Sequence, residues 1–253
     1  VGVLDPQHEL AAVAACVGAR KERGAGAADV QEPRGAGGEA RAHGHGCYDF
    51  PMSATFQPDR MPGYVLPKYE YRTPPELAGG AAPLYPAVVV GGGLGGLTAA
   101  LELGSRGVRT VLLDDDDTVG AQGLSSRGIC HAQRSLQILE RFGVAERIRG
   151  KGVTWNEGDV FVAGERVFRF NLQPERDQRF PAFVNLQQFY VEQYLVEAIA
   201  GTAAIDLRWK NRVVDVAQHD DHVALTVETP GGRYALRARY VVGADGGHSV
   251  LRE

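Results

Sequence analysis

Gly91, Gly93 and Gly96 stand in the order G-x-G-x-x-G, and Asp114 follows at the end of the next apolar run. Each residue type suits one part of a nucleotide. Gly91 permits a tight turn, Gly93 lets backbone approach a pyrophosphate, and Gly96 lets a helix pack closely on a sheet. A carboxylate some twenty residues on can accept both hydroxyls of an adenosine ribose. The chemistry predicted from these four residues is the binding of an ADP-containing cofactor. The remaining aspartates of Asp114-Asp-Asp-Asp117 read as a solvated acidic turn.

That chemistry needs a strand, a glycine turn, a helix and a second strand in about thirty residues. Val88, Val89 and Val90 form a continuous apolar run, as expected of a parallel strand buried on both faces. Leu97, Ala100, Leu101 and Leu103 fall at helical spacing, Gly107 stops the helix, and Val108–Leu113 supplies the second strand. The helix N-terminus would offer unpaired N–H groups to phosphate. Thr118–Gly128 is a polar, glycine-rich loop at the carboxyl edge of that strand, where open α/β sheets bind ligands. Arg127 in this loop could pair with a pyrophosphate or ribose, or be an ordinary surface arginine.

The 253 residues suffice for one good core and a small second lobe. A net charge of -4 argues against nucleic acid or an anionic membrane as main partner. No apolar run approaches a membrane span, and no signal peptide is visible. Cys16, Cys47 and Cys130 are odd in number and widely spaced, so no disulfide framework is expected and a reducing cytoplasm is the expected setting.

The chain divides unevenly. Residues 1–83 are expected to be a low-complexity, disordered extension followed by an extended, proline- and tyrosine-rich arm. Glu9–Arg23 could form a short Ala-rich helix. Met52 reads as an initiator, with residues 1–51 as upstream coding sequence. His43, His45 and Cys47 lack a second ligand cluster and read as a loop rather than a metal site. Residues 84–150 carry the strand–helix–strand unit and a further helix from about His131 to Phe142, its apolar face made of Leu136, Ile138, Leu139 and Phe142.

Residues 151–184 break the α/β alternation. Asp159–Val162 and Arg166–Phe170 read as a β-hairpin in a second lobe, with Phe161, Phe168 and Phe170 expected in its core. In residues 185–253, Asn185–Gln188 is a capping signal for a helix with an apolar face of Phe189, Val191, Tyr194, Leu195 and Ile199. Strands Ile205–Lys210 to Val213–Gln218, His222–Glu228 and Arg233–Ala238 predict an antiparallel meander. Tyr240–Asp245 predicts a buried strand ending in an acid.

The order of glycine turn, Arg127 loop, Gln188 helix, meander and Asp245-Gly-x-x-Ser249-x-x-Arg252 resembles the class A flavoprotein monooxygenases. These are single-component FAD-dependent aromatic hydroxylases, related to phenol and 3-(3-hydroxyphenyl)propionate hydroxylases. The resemblance covers about Pro86 to Arg252. It implies an α/β fold: a Rossmann-like FAD-binding domain with an antiparallel β-meander and part of a β-rich substrate lobe. It also implies FAD as cofactor, NADH or NADPH as co-substrate, and O2 and a small aromatic substrate as partners. On this resemblance Gly91, Gly93, Leu94, Gly95 and Gly96 hold the FAD pyrophosphate and Asp114 the adenosine ribose. Arg127 touches FAD, Gln188 (or Gln187, one position earlier) lies near the ribityl and phosphate, and Asp245 and Gly246 serve FAD and the nicotinamide cofactor. Arg252 anchors the Asp245 loop.

The family's second Gly-Asp motif and most of its substrate sheet are not in these residues, so the chain alone is expected to bind FAD weakly or not at all and not to hydroxylate. No protein acid, base or nucleophile is identified. An NAD(P)-dependent dehydrogenase and a non-catalytic remnant remain as alternatives, and a homo-oligomer is compatible with the sequence.

Overall fold

The computed structural model describes residues 65–79, 83–120, 128–173 and 177–252. Arg127, the Glu9–Arg23 helix, Met52 and the His43, His45 and Cys47 group lie outside the described residues, as does most of the N-terminal extension.

The Val88–Val90 run lies in strand β1 (Leu84–Val90), which leads through the glycine turn into helix α1 (Leu94–Ser105) and on to β2 (Thr110–Leu113). Gly107 follows with φ +75°, a left-handed conformation suited to ending a helix. A small sheet then forms from β3 (Cys130–Ala132), β4 (Val153–Trp155) and β7 (Phe183–Asn185), in the order β3-β7-β4. Helices α2 (Gln133–Glu140) and α3 (Ala145–Lys151) lie between β3 and β4, and the hairpin β5 (Glu157–Val162) and β6 (Glu165–Asn171) between β4 and β7. Helix α4 (Gln188–Ala200) leads to β8 (Ile205–Arg208), then β9 (Arg212–Gln218), β10 (Val223–Thr229) and β11 (Gly232–Gly243).

The main sheet has the order β8-β2-β1-β11-β10-β9. Its first four strands are mutually parallel, and β11, β10 and β9 pair antiparallel. Val89 and Leu112 face a core built with Leu97, Ala100, Leu136, Ile148, Val191 and Leu195. Val88, Val90, Val111 and Leu113 face the opposite core with Val213, Leu225, Val227 and Leu236. Burial on both faces is why these strands carry no polar alternation.

The structure corrects several boundaries. His131 lies in β3 rather than in a helix, because Cys130–Ala132 pairs with Phe183–Asn185. Asn185 is the last residue of β7 and caps nothing; its side chain accepts the Trp155 indole N–H at 2.8 Å. The strand after α4 ends at Arg208 and runs parallel to β2 at the sheet edge, outside the meander. Arg233–Ala238 and the following run are one 12-residue strand, antiparallel to β10 and parallel to β1. Tyr240 on that strand is 74% exposed, so this segment is not buried. Phe161 and Phe168 are 61% and 59% exposed, and Phe170 is half-buried, so the hairpin aromatics do not form a core among the described residues.

Candidate functional site

Strand β1 delivers the glycine turn to the carboxyl edge of the sheet, and parallel β11 delivers Ala244-Asp245-Gly246 to the same edge. Val90 pairs with Gly243, and Ala244 N–H donates to Val90 O at 2.7 Å. Two glycines make this fit. A Cβ on Gly91 (φ +104°) would overlap the Ala244 carbonyl, and one on Gly96 would overlap the Gly91 carbonyl. By contrast, Cβ atoms on Gly93 and Gly95 would meet nothing within 4 Å among the described residues. The first pair is demanded by packing; the second faces open space beside the N-terminus of α1. Gly93, the extended N-cap residue, supplies no capping side chain there, and its carbonyl accepts Leu97 N–H at 2.9 Å. Among the described residues, the Gly95 and Gly96 amides find no acceptor.

Asp114 closes one side. Its carboxylate accepts Gly92 N–H and, at 3.1 Å, Asp116 N–H. Burial, then the nearby Asp116 charge, pushes its carboxyl up to about 8, against those two donors. The folded chain therefore binds this proton more tightly than the unfolded chain, whose aspartate titrates near ~4. The stability from this group is complete below about pH 4 and is lost as pH rises through about 8. Unfolding by urea is expected to become easier from pH 5 to pH 8, and Asp114→Asn to flatten that slope. An equally steep slope in the variant would contradict the assignment.

Glu192 and Gln188 close the other side. Glu192 on α4 is 2% exposed; it accepts Gly120 N–H and the Gln188 amide, both at 2.6 Å, and also the Leu94 N–H. Gln188 Oε1 accepts Gly128 N–H at 3.1 Å. Gln187, the alternative register, is the N-cap residue and is exposed, so Gln188 is the glutamine that faces this edge. Glu192 was not among the residues read from sequence. A glutamate at i+4 from Gln188 on the apolar side of a helix was the available signal.

Asp245 begins a turn of 3-10 helix at Gly246–His248, with Gly246 at φ +77°. Arg252 donates to the carbonyls of Gly246 and Gly247 at 2.8 and 2.9 Å, anchoring the loop as the sequence led us to expect. The structure thus brings Gly91, Gly93, Leu94, Gly95, Gly96, Asp114, Gln188, Asp245 and Gly246 to one edge. His131, buried and bonded at 3.0 Å to Leu186 O, has its pKa lowered, by burial first. Among the described residues, no group of three His, Cys, Asp or Glu side chains is placed to hold a metal.

Residues 85–253 match the family model described as FAD binding domain. The chain belongs to the FAD-binding domain family, that of the class A flavoprotein aromatic hydroxylases. It is 30% identical over 172 residues to para-nitrophenol 4-monooxygenase of Pseudomonas sp. (strain WBC-3), covering 66% of this chain and 41% of that one. It is 28% identical to the 3-(3-hydroxy-phenyl)propionate/3-hydroxycinnamic acid hydroxylase of Mycolicibacterium smegmatis, over 65% of this chain and 29% of the relative. The crystal structure of p-nitrophenol 4-monooxygenase from Pseudomonas putida DLL-E4 superposes with a TM-score of 0.62 at 31% identity, covering 67% of this chain and 42% of that one. The flavin-dependent monooxygenase PieE, solved with FAD and substrate, superposes with a TM-score of 0.59 at 27% identity, over 67% of this chain and 31% of that one. The chain thus spans about two fifths or less of the length of these relatives.

This FAD-binding domain has the groups that such a cofactor needs. The Gly95 and Gly96 amides at the N-terminus of this helix suit an anion, the faces of Gly93 and Gly95 leave room for it among the described residues, and the Asp114 side-chain oxygens suit vicinal hydroxyls.

Proposed function

We propose that this chain holds the ADP half of FAD at the carboxyl edge of the main sheet, as the nucleotide-binding part of an NAD(P)H- and O2-dependent aromatic hydroxylase. The space left at Gly93 and Gly95 by the described residues, before the N-terminus of α1, carries the reading. The Gly95 and Gly96 amides and the helix dipole receive the pyrophosphate in a Rossmann-like arrangement with the Gly91–Gly96 turn. Asp114 receives the adenosine ribose, exchanging its backbone donors for hydroxyl donors. Gln188 has one amide hydrogen left for the ribityl or phosphate side, because Oε1 and one Nε2 hydrogen are already bonded. Asp245 and Gly246 stand beside the glycine turn, so they face the same cofactor from β11.

Bound FAD supplies the redox chemistry between a nicotinamide, oxygen and an electron-rich ring; the protein supplies position and exclusion of water. The substrate side of this reading is the segment 151–184. Its hairpin leaves Val160, Phe161, Val162, Val167 and Phe168 exposed across its two sides, apolar surface suited to a small aromatic or to further β-structure of a substrate lobe.

A competition measurement tests the reading. FAD is expected to quench on binding and to be displaced by ADP, while FMN, which lacks the adenylate, binds at least ~100-fold more weakly, the equivalent of two or so lost charge-assisted hydrogen bonds. Equal affinity for FMN and FAD, or no displacement by ADP, would remove the adenylate assignment.

A further inference from the structure

Gln188 and Glu192 are four residues apart on α4, so their side chains share one face of the helix. Together they reach three separate backbone segments. Glu192 Oε2 accepts from Gly120, in the segment that follows β2; Gln188 Oε1 accepts from Gly128, just before β3. Gln188 Nε2 donates to Glu192 Oε1, and the Glu192 carboxylate also takes Leu94 N–H in the first turn of α1. Every group that meets Glu192 is therefore a donor. With glutamine at 188, a carboxylate at 192 answers that pattern and a neutral amide does not, because its NH2 would meet another N–H.

The couple is directional. With Gln188 presenting its oxygen to Gly128 and its nitrogen to residue 192, residue 192 must accept at both atoms. Burial of a carboxylate is costly unless it is fully bonded, and here three donors compensate the loss of water. Burial first, and the Asp116 charge among the other causes, raises the Glu192 pKa, while the amide of Gln188 and the amides of Gly120 and Leu94 hold it down.

We propose that Gln188 and Glu192 are a positioning pair, fastening the stems at Gly120 and Gly128 and the first turn of α1 to one helix so that the α1 amides keep their aim at the FAD pyrophosphate. The inference rests on the FAD reading above and assigns Glu192 a role that neither the glycine turn nor Asp114 supplies. Glu192 touches no reacting atom and is not a catalytic residue.

Three variants test it: Glu192→Gln, Gln188→Glu, and the exchange of both. The first sets two NH2 groups against each other, and the second two carboxylates. The exchange restores acceptors toward Gly120 and Gly128 and a donor between the side chains, at unchanged net charge. The readouts are amide hydrogen exchange at Gly120 and Gly128 without cofactor, and the FAD dissociation constant from flavin fluorescence. Each single variant is expected to speed exchange at both glycines and to weaken FAD about tenfold, the loss of roughly one charge-assisted hydrogen bond. The exchanged pair is expected to return both readouts close to those of the parent chain.

Single variants that melt earlier but bind FAD within about twofold of the parent would overturn the positioning role and leave only a packing one. So would an exchanged pair that stays as impaired as the singles. If a single variant does not fold, the exchanged pair decides alone. If the parent chain takes up no FAD, the cofactor reading fails by itself. Hydrogen exchange then decides whether the pair fastens both stems: coupled loss and recovery upholds it, and unchanged exchange sinks it.

Discussion

Gly96→Ala is expected to leave a chain that neither melts cooperatively nor takes up FAD. Its Cβ would fall on the Gly91 carbonyl and press on Ala244, and Gly91 itself sits at φ +104° with no space of its own. The Gly91 backbone blocks the methyl on one side and the Ala244 Cβ, which no rotamer can move away, crowds it on the other, so α1 must lift from the β1–β11 edge. Lifting it parts Leu97, Ala100 and Leu101 from Val89 and Leu112, contacts among fully or nearly fully buried residues. Overpacking of this kind costs on the order of 1–3 kcal/mol, and separated core residues add about as much again for each side chain re-exposed.

Gly93→Ala is the matched contrast. Gly93 has ordinary extended dihedrals and open space around its Cβ direction, so the apo melting temperature is expected to change little. Its methyl stands where the pyrophosphate approaches, and FAD affinity is expected to fall roughly tenfold to a hundredfold, the worth of one good charge-assisted hydrogen bond. Thermal melts and FAD titrations on both variants separate the two roles. A Gly93→Ala chain that binds FAD like the parent would mean that the pyrophosphate lies elsewhere.

Arg208→Met is expected to be the most destabilising side-chain change, by about 3–5 kcal/mol, the cost of stripping one partner from a buried ion pair. Arg208, at the end of β8, donates to Glu76 at 2.9 Å, to Asp206, and to the hydroxyls of Tyr85 and Tyr234. The Glu76 side chain is 2% exposed. Burial opposes its ionisation, but the Tyr85 hydroxyl and the Arg208 guanidinium hold its pKa below the ordinary value. Without Arg208, that carboxylate keeps the 2.6 Å bond from Tyr85 and no cation within the pair. Glu76 belongs to the arm at 65–79, which also stacks Tyr69 on Trp209, with ring centroids 4.5 Å apart, and joins Tyr71 to Thr229 at 3.0 Å. The variant should therefore loosen this arm as well as lower the denaturant midpoint. Glu76→Gln combined with Arg208→Met should cost less than Arg208→Met alone, because the stranded charge is then gone. A loss below about 1 kcal/mol in the single variant would show that the network contributes little.

These results bear on what could be read from the chain itself. The β1–α1–β2 unit was legible because both signals were local: a valine run buried on two faces, and glycines whose spacing follows from turn and helix geometry. The α4 face was legible for the same reason, since Phe189, Val191, Tyr194, Leu195 and Ile199 are all buried at helical spacing. The hairpin was legible as pairing but not as burial. Alternating aromatics specify strands, yet what covers Phe161 and Phe168 is a matter of tertiary partners that local patterning does not carry.

The sequence reads β11 as two strands because Arg239 interrupts its apolar pattern, although pairing with β1 continues on both sides of it, at Ala238 and at Tyr240. Position 131 went to helix for a similar reason: the three-residue strand β3 exists only through its pairing with β7. Within the site, Gln188 was visible, and its partner Glu192 was not. A buried glutamate is intelligible only once Gly120 and Leu94, distant in sequence, are seen to converge on it.

The most direct measurement is the visible absorbance spectrum of the purified chain after incubation with FAD and removal of excess. The account predicts retained flavin bands, shifted or structured relative to free FAD and released on denaturation, with the retained amount falling in Asp114→Ala and Gly93→Ala. A folded chain that stays colourless at saturating FAD would contradict the central claim that this sheet edge holds the cofactor.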